Sequence, residues 1–192
     1  MRGFGIGTLR SMVLATAFAW CAGAGAADVG GVTLDDKANV GGQELVLNGA
    51  GIRTRAIFKV YVGSLYLPAK ANSTAAALSK GPRRVQLNLL RALSADQLVD
   101  ALVDGLKDNN AEAELAAVKA QVDQMVATMK AFKDVKEKDV VTLDYANGAT
   151  VIGFNGQPKA TIPGDAFNAA LSKVWLGDKP VQADLKKAML GG

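Results

Sequence analysis

Two Asn-Gly pairs, Asn147-Gly148 and Asn155-Gly156, constrain the fold of this chain more than any other feature. They separate three short runs rich in β-branched and aromatic residues, at positions 140–145, 150–154 and 159–162. Asn-Gly is favoured at the centre of tight hairpin turns because both residues tolerate positive φ. The sequence therefore predicts three antiparallel strands in a meander.

Helical patterns precede this meander. Ser94 is followed three residues later by Gln97, which forms a capping-box pattern, and apolar residues at helical spacing continue to about Asp108. The same spacing resumes after residue 110 and predicts a second, longer amphipathic helix that ends near Phe132.

Shorter patterns complete the chain. Residues 29–47 predict a first hairpin, 55–67 one long strand or a bent pair, and 83–90 a strand with one buried face. Residues 73–80, 165–176 and 180–190 predict helices. Strands and helices in this order favour an α+β domain, in which helices pack mainly on one face of an antiparallel sheet.

The N-terminus has the features of a secretory signal. Positive charges at Arg2 and Arg10 precede an apolar run over 12–21, which is shorter than the roughly 20 residues that cross a bilayer. Small residues at Ala24 and Ala26 suit signal peptidase, with cleavage before residue 27 or 28. A lipoprotein anchor at Cys21 is the alternative, although the bulky Trp20 fits that processing poorly.

We therefore expect residues 1–27 to be a cleaved signal and residues 28–192 to form one domain, exported to the periplasm of a Gram-negative bacterium. No later apolar stretch is long enough to span a membrane, so no stable membrane insertion is expected after cleavage. No pattern fixes an oligomeric state.

The lack of histidine and the scarcity of cysteine exclude several kinds of catalytic site. The chain has no histidine, and its one cysteine, Cys21, leaves with the signal. A thiolate nucleophile, a Ser-His pair, an imidazole metal ligand and a disulfide are thereby excluded from the domain. Its carboxylates form no metal-binding pattern, and we expect neither metal nor cofactor. Without Arg2 and Arg10, 20 basic residues face 18 acidic ones, which does not indicate nucleic-acid binding.

The stretch 48–67 combines strand-forming residues with regularly spaced polar groups. If it is extended, Arg53, Arg55, Lys59 and Tyr61 share one face, while Ala56, Phe58, Val60 and Val62 share the other. We expect the second set to face the helix-covered core. The first set either meets water or lies in a cleft and binds an anionic group. The glycines at 49 and 51 allow another segment or a ligand to approach closely.

Four segments together resemble the chalcone isomerase-like family, in particular its bacterial exported members. They are GAGIR at 49–53, FKVYVGSLYLP at 58–68, the helix opening at 94–108 and WLGDKP at 175–180. The resemblance covers nearly all of residues 28–192. It implies an open-faced β-sandwich, a large antiparallel sheet covered by a layer of helices, with a ligand cleft between them. Plant members cyclise chalcones, whereas related plastid proteins bind fatty acids.

The resemblance argues against chalcone cyclisation. Arg53 matches the arginine of the plant isomerases, but their threonine is Tyr61 here. Their tyrosine and asparagine on the central helix fall on Leu98 and Gly105, and their late-helix Ser/Thr falls near Asn168. One of the five catalytic positions is kept. Accordingly, no catalytic residue is assigned, and Arg53, Tyr61, Arg55 and Asn168 are the candidate ligand-binding residues.

The fatty-acid-binding relatives pair the same arginine with a tyrosine on the following strand, and Arg53 with Tyr61 matches that pair. Here the two residues are only eight steps apart, roughly 26 Å in a straight strand. They can hold one carboxylate only if the chain bends, and we expect the bend near 55–57.

Three functions remain open at this stage. The favoured one is non-catalytic periplasmic binding of a fatty acid or similar amphipathic acid. The second is an isomerase or lyase acting on a small phenolic or unsaturated acid, with Arg53 stabilising negative charge and Tyr61 as general acid. The third is an envelope interaction module without a small ligand.

Overall fold

The computed structural model describes Met1 and residues 26–192 of the 192-residue chain. Its strands are β1 (Ala26–Val29), β2 (Val32–Asp35), β3 (Lys37–Val40), β4 (Gln43–Arg55), β5 (Phe58–Leu67), β6 (Arg83–Leu89), β7 (Leu93–Ser94), β8 (Asp134–Val135), β9 (Val140–Ala146), β10 (Ala149–Phe154) and β11 (Gln157–Pro163). Its helices are α1 (Thr74–Ala77), α2 (Ala95–Asn109), α3 (Glu112–Ala117), α4 (Lys119–Lys130), α5 (Asp165–Leu176) and α6 (Ala183–Met189).

The predicted signal lies almost entirely outside the described residues. Both cleavage positions, before Ala27 and before Asp28, fall within β1, which pairs with β2. Signal cleavage stays a prediction.

A seven-stranded antiparallel sheet forms the centre of the fold, in the order β11-β10-β9-β6-β5-β4-β3. The predicted meander is confirmed as β9, β10 and β11. Both of its turns have the expected positive φ, with 52° and 75° at Asn147-Gly148 and 50° and 77° at Asn155-Gly156. Because these turns fix the hairpins locally, the sequence pattern was sufficient to place them.

The N-terminal region contains two hairpins rather than the single one expected. Gly30 and Gly31 turn β1 into β2, and Gly41 and Gly42 turn β3 into β4, all four with positive φ. Only the β3–β4 hairpin belongs to the large sheet. The β1–β2 hairpin packs over the sheet face that the helices leave open, where Gly30 approaches Ile52 and Val62.

The expectation that Val62 faces the helices is therefore wrong. Val62 and Tyr66 pack with Leu34 in a smaller core beneath the β1–β2 hairpin, whereas Tyr61 and Leu65 belong to the main core beneath the helices. The alternation is also broken within β5, because a bulge at Val60 brings Val60 and Tyr61, which were expected on opposite faces, to the same helix-covered side.

Helix α2 begins as predicted, with a reciprocal capping box between Ser94 and Gln97. The predicted long second helix is divided into α3 and α4. At Val118 the backbone leaves helical geometry, with φ −115° and ψ 17°, and its side chain is buried in the core. Among the described residues, no helix combines the length and apolar character needed to cross a membrane.

The close approach expected at Gly49 and Gly51 is made by another segment of the chain, helix α6. A Cβ atom on Gly49 would lie 2.1 Å from the carbonyl oxygen of Ala188, and one on Gly51 would lie 2.7 Å from the Ala188 Cβ. The Asn48 amide donates to the Met189 carbonyl oxygen at 2.7 Å. Helix α6 is thereby held on the helix-side face of β4.

Candidate functional site

A cleft of about 900 Å³ opens between the β4–β5 hairpin and helix α2. This volume lies within the range of small-molecule sites, about 300 to 1,000 Å³. Apolar side chains from the sheet, α2 and the segment after α5 form its interior, and charged side chains line its rim. The apolar wall includes Val60, Leu87, Leu93, Leu98, Leu102, Val174 and Val181.

Arg53 and Tyr61 lie directly opposite each other across the β4–β5 ladder. The chain turns at Ala56-Ile57, within the stretch where a bend was expected, so eight steps of sequence fold back into one cross-strand pair. A bulge between Arg53 and Thr54 leaves Val60 as the extra residue on β5. Arg53 and Tyr61 both line the cleft.

Gln182, at the N-terminus of α6, orients the Arg53 side chain at this corner of the cleft, and no sequence pattern indicated its role. Its Oε1 accepts from Arg53 Nη1 at 3.2 Å and from the Thr54 backbone N–H at 2.8 Å. Arg53 Nη1 also donates to the Thr54 carbonyl oxygen. Within the described part of the chain, Arg53 Nε and Nη2 donate no hydrogen bond to the protein, so that edge of the guanidinium is available to an anion.

Tyr61 is held by a buried hydrogen bond from Trp175, whose Nε1–H donates to the phenol oxygen at 3.0 Å. Because the oxygen accepts from Trp175, the Tyr61 hydroxyl hydrogen can be donated elsewhere. Burial raises the pKa of Tyr61 to about 12, although the Trp175 hydrogen bond and the nearby Arg53 charge act in the opposite direction. Tyr61 therefore stays protonated at neutral pH and acts as a neutral donor.

Stability should depend on alkaline pH through Tyr61. The folded protein keeps this proton up to about pH 12, whereas an unfolded tyrosine loses it near 10. The free energy of unfolding therefore does not depend on the ionisation of Tyr61 below about pH 10, and it should fall by about 2 to 3 kcal/mol between about pH 10 and 12. Urea denaturation of the wild type and Tyr61→Phe at rising pH measures this difference. Parallel pH profiles for the two proteins would contradict it.

The end of the segment WLGDKP, 175–180, lines the cleft through Lys179 and Pro180. Asn109, at the end of α2, donates to the Lys179 carbonyl oxygen at 2.7 Å and accepts from the Lys179 N–H at 2.8 Å. A Cβ on Gly177 would lie 2.3 Å from Asn109 Oδ1, which explains the glycine. This clamp fixes Pro180 and Val181 against the apolar wall.

The two walls of the cleft carry opposite charges. Arg53, Arg55 and Arg91 lie on the sheet side, and Lys179 lies on the segment that follows α5. Helix α2 contributes Asp100, Asp104 and Asp108, which are one turn apart on one face. Within residues 26–192 these groups form no ion pair with one another. The basic side is thus free to attract an anionic head group.

Of the four candidate residues, the structure brings three to the cleft. Arg55 is exposed at its mouth, next to Arg53 and Tyr61. Asn168 lies elsewhere, buried between α5 and the sheet, where its Oδ1 accepts from Arg83 Nε at 2.8 Å and its Nδ2 donates to Thr150 Oγ1 at 3.0 Å. Asn168 accepts a hydrogen bond from the buried Arg83 and lies outside the cleft, so it is not assigned to the ligand.

The two positions that the resemblance placed on the central helix also line the cleft. Leu98 adds apolar surface there, and Gly105 allows α2 to pack tightly against α5. A Cβ on Gly105 would lie 2.8 Å from Val174 Cγ1, so the asparagine of the plant isomerases has no room at this position. Within residues 26–192 no three or more His, Cys, Asp or Glu side chains come together in a group that could hold a metal ion.

An antiparallel sheet covered by helices, with a ligand-sized cleft between them, defines an open-faced β-sandwich. The chain belongs to the chalcone isomerase-like family, since the family model of that description matches residues 26–191. The expected family and fold class are both confirmed. No curated protein matches the sequence of this chain.

Among solved structures, the chain resembles a fatty-acid binding protein of Arabidopsis thaliana. The TM-score is 0.64 at 11% sequence identity, and the match covers 83% of this chain and 92% of the plant protein. At 11% sequence identity, this structural similarity shows that the two proteins share a fold.

Proposed function

We propose that this protein is a non-catalytic carrier of a fatty acid or a similar amphipathic carboxylate. The carboxylate is bound by the free edge of the Arg53 guanidinium and by the Tyr61 hydroxyl, and the acyl chain lies along the apolar wall between β5 and α2. The observation that carries this proposal is the cross-strand pairing of Arg53 with Tyr61 at the edge of an open apolar cleft.

Other features support a carrier over an isomerase. Leu98 and Gly105 provide no hydrogen-bonding side chain on α2, and a phenol with a pKa near 12 is a weak proton donor at neutral pH. The fatty-acid binding protein of similar fold supports the same ligand class. An interaction module without a small ligand would not require an open cleft of this volume.

We also propose that the carrier works in the periplasm, after removal of an N-terminal signal at residue 27 or 28. The basis for this proposal is the sequence pattern of residues 1–27. A soluble carrier in that compartment would hold acyl chains that are otherwise poorly soluble in water.

Mass spectrometry of the protein recovered from an envelope fraction tests both proposals. Denaturing analysis should give a chain that begins at Ala27 or Asp28, and native analysis should show bound fatty acid. After delipidation, the protein should bind C8 to C18 acids again, with a change in the emission of Trp175, the one tryptophan in residues 28–192. A delipidated protein that binds none of these acids would overturn the carrier proposal, and an uncleaved chain would overturn export by signal cleavage.

A further inference from the structure

The turn between β4 and β5 carries an apolar tip that the fold does not use. Ile57 is 87% exposed and Phe58 is 52% exposed, and within the described residues Met1 is the other exposed large apolar side chain. Neither tip side chain belongs to the two hydrophobic cores. Their exposure at the mouth of the cleft is therefore not explained by packing in either core.

The residue types in this turn also do not match the preferences of its backbone conformation. Ala56 has a positive φ of 52°, a conformation that favours glycine, and Ile57 occupies a position where Gly, Asn or Ser is common. Residues that break a local rule without a compensating contact are expected at functional sites. The tip keeps apolar groups where turn chemistry would favour polar ones.

Positive charges surround this tip. Arg55 and Lys59 flank it on the two strands and are exposed. The Arg91 guanidinium lies over the Phe58 ring, 4.5 Å from the ring centroid. An aromatic and an aliphatic side chain beside three cations form the combination that inserts into the head-group region of an anionic bilayer.

We infer that the Ile57–Phe58 tip docks this protein on an anionic phospholipid surface, so that the cleft collects its amphipathic ligand from the membrane. Ile57 and Phe58 enter the boundary between head groups and acyl chains, while Arg55, Lys59 and Arg91 contact lipid phosphates. Ala56 and Phe58 line the cleft mouth, so the opening lies at the docking site. The aspartates of α2 lie on the opposite wall, which limits the contact with an anionic surface to the tip side.

Docking rests on the proposed function only for the identity of the cargo, and the two can be tested separately. Cosedimentation with vesicles of phosphatidylcholine containing a quarter phosphatidylglycerol measures docking. The wild type should sediment with these vesicles, less so at high salt, and should stay in solution with pure phosphatidylcholine. Every variant carries the same N-terminal segment, so any contribution from residues 1–25 cancels between variants.

Two pairs of substitutions test the tip. The double variant Ile57→Asn/Phe58→Ser should bind vesicles at least about tenfold more weakly, since it removes the inserted apolar surface. Asn is favoured in a turn, so this variant should keep the fold. Arg55→Glu/Lys59→Glu should also lose about tenfold, whereas the charge-matched control Lys80→Glu/Lys159→Glu, at positions away from the tip, should bind like the wild type.

Docking is overturned if the wild type does not sediment with anionic vesicles. It is also overturned if both tip variants sediment as the wild type does. Equal losses in the tip charge variant and the charge-matched control would also overturn it, because net charge alone would then explain binding. Fatty-acid binding of the same proteins is measured in vesicle-free solution. Vesicle binding without fatty-acid binding would support docking while refuting the proposed cargo.

Discussion

Replacing Arg53 with alanine is expected to weaken the binding of a long-chain fatty acid by about 10- to 100-fold. Hydrogen bonds to a charged group contribute about 1.5 to 3 kcal/mol, and each 1.4 kcal/mol is a factor of ten in affinity. The apolar cleft and Tyr61 remain in the variant, so residual binding is expected. Titration of delipidated protein, followed by Trp175 emission or calorimetry, measures the change.

Three comparison variants make this result specific. Arg53→Lys keeps the charge but loses the planar fork, and should bind with intermediate affinity. Gln182→Leu removes the acceptor that orients Arg53 and should weaken binding less than Arg53→Ala does. Lys80→Ala removes one positive charge away from the cleft and should bind normally. Unchanged affinity in Arg53→Ala, with the fold intact, would show that the carboxylate is not held at this arginine.

The substitution Gly49→Ala is expected to destabilise the protein by about 3 kcal/mol, the upper part of the usual range for an overpacked core. Its Cβ would lie 2.1 Å from the Ala188 carbonyl oxygen and 2.9 Å from that of Met189. Both contacts are with backbone, so α6 has to move away from β4. For a domain of this size the melting temperature should fall by roughly 6 to 12 °C.

Gly42→Ala separates this steric effect from backbone strain. Gly42 has a φ of 84° and open space around its missing side chain, so alanine there should cost only about 1 kcal/mol. Because α6 also carries Gln182, Gly49→Ala should weaken fatty-acid binding as well, whereas Gly42→Ala should not. Equal melting temperatures for the two variants would contradict tight docking of α6 at Gly49.

Local sequence patterns predicted the parts of this fold that local interactions determine. Asn-Gly at 147–148 and 155–156 fixed two hairpins through backbone preferences, and Ser94 with Gln97 fixed the start of α2 through a reciprocal cap. The residues that resemble the chalcone isomerase-like family also predicted the family and the architecture. Each of these signals is contained within a few neighbouring residues or in their order along the chain.

Long-range packing determined the remainder. Alternation along β5 placed Val60 and Tyr61 on opposite faces, but the bulge in the β4–β5 ladder brings both to the side that the helices cover. Asn168 was selected from its sequence position, and the structure instead places it on Arg83, which lies on a strand 85 residues earlier. Trp175 and Gln182 carry no local sign that they contact Tyr61 and Arg53, because these contacts form only after distant segments pack together.

The sequence by itself determined the family, the α+β class, the meander and the identity of Arg53 and Tyr61 as candidates. The tertiary structure decided whether those two residues could act together. A turn at Ala56-Ile57 converts a separation of eight residues into a direct cross-strand pair, and α6 with α5 then surrounds that pair with Gln182 and Trp175. Side-chain identity is local, whereas convergence on one ligand depends on the register of two strands and on the helices packed against them.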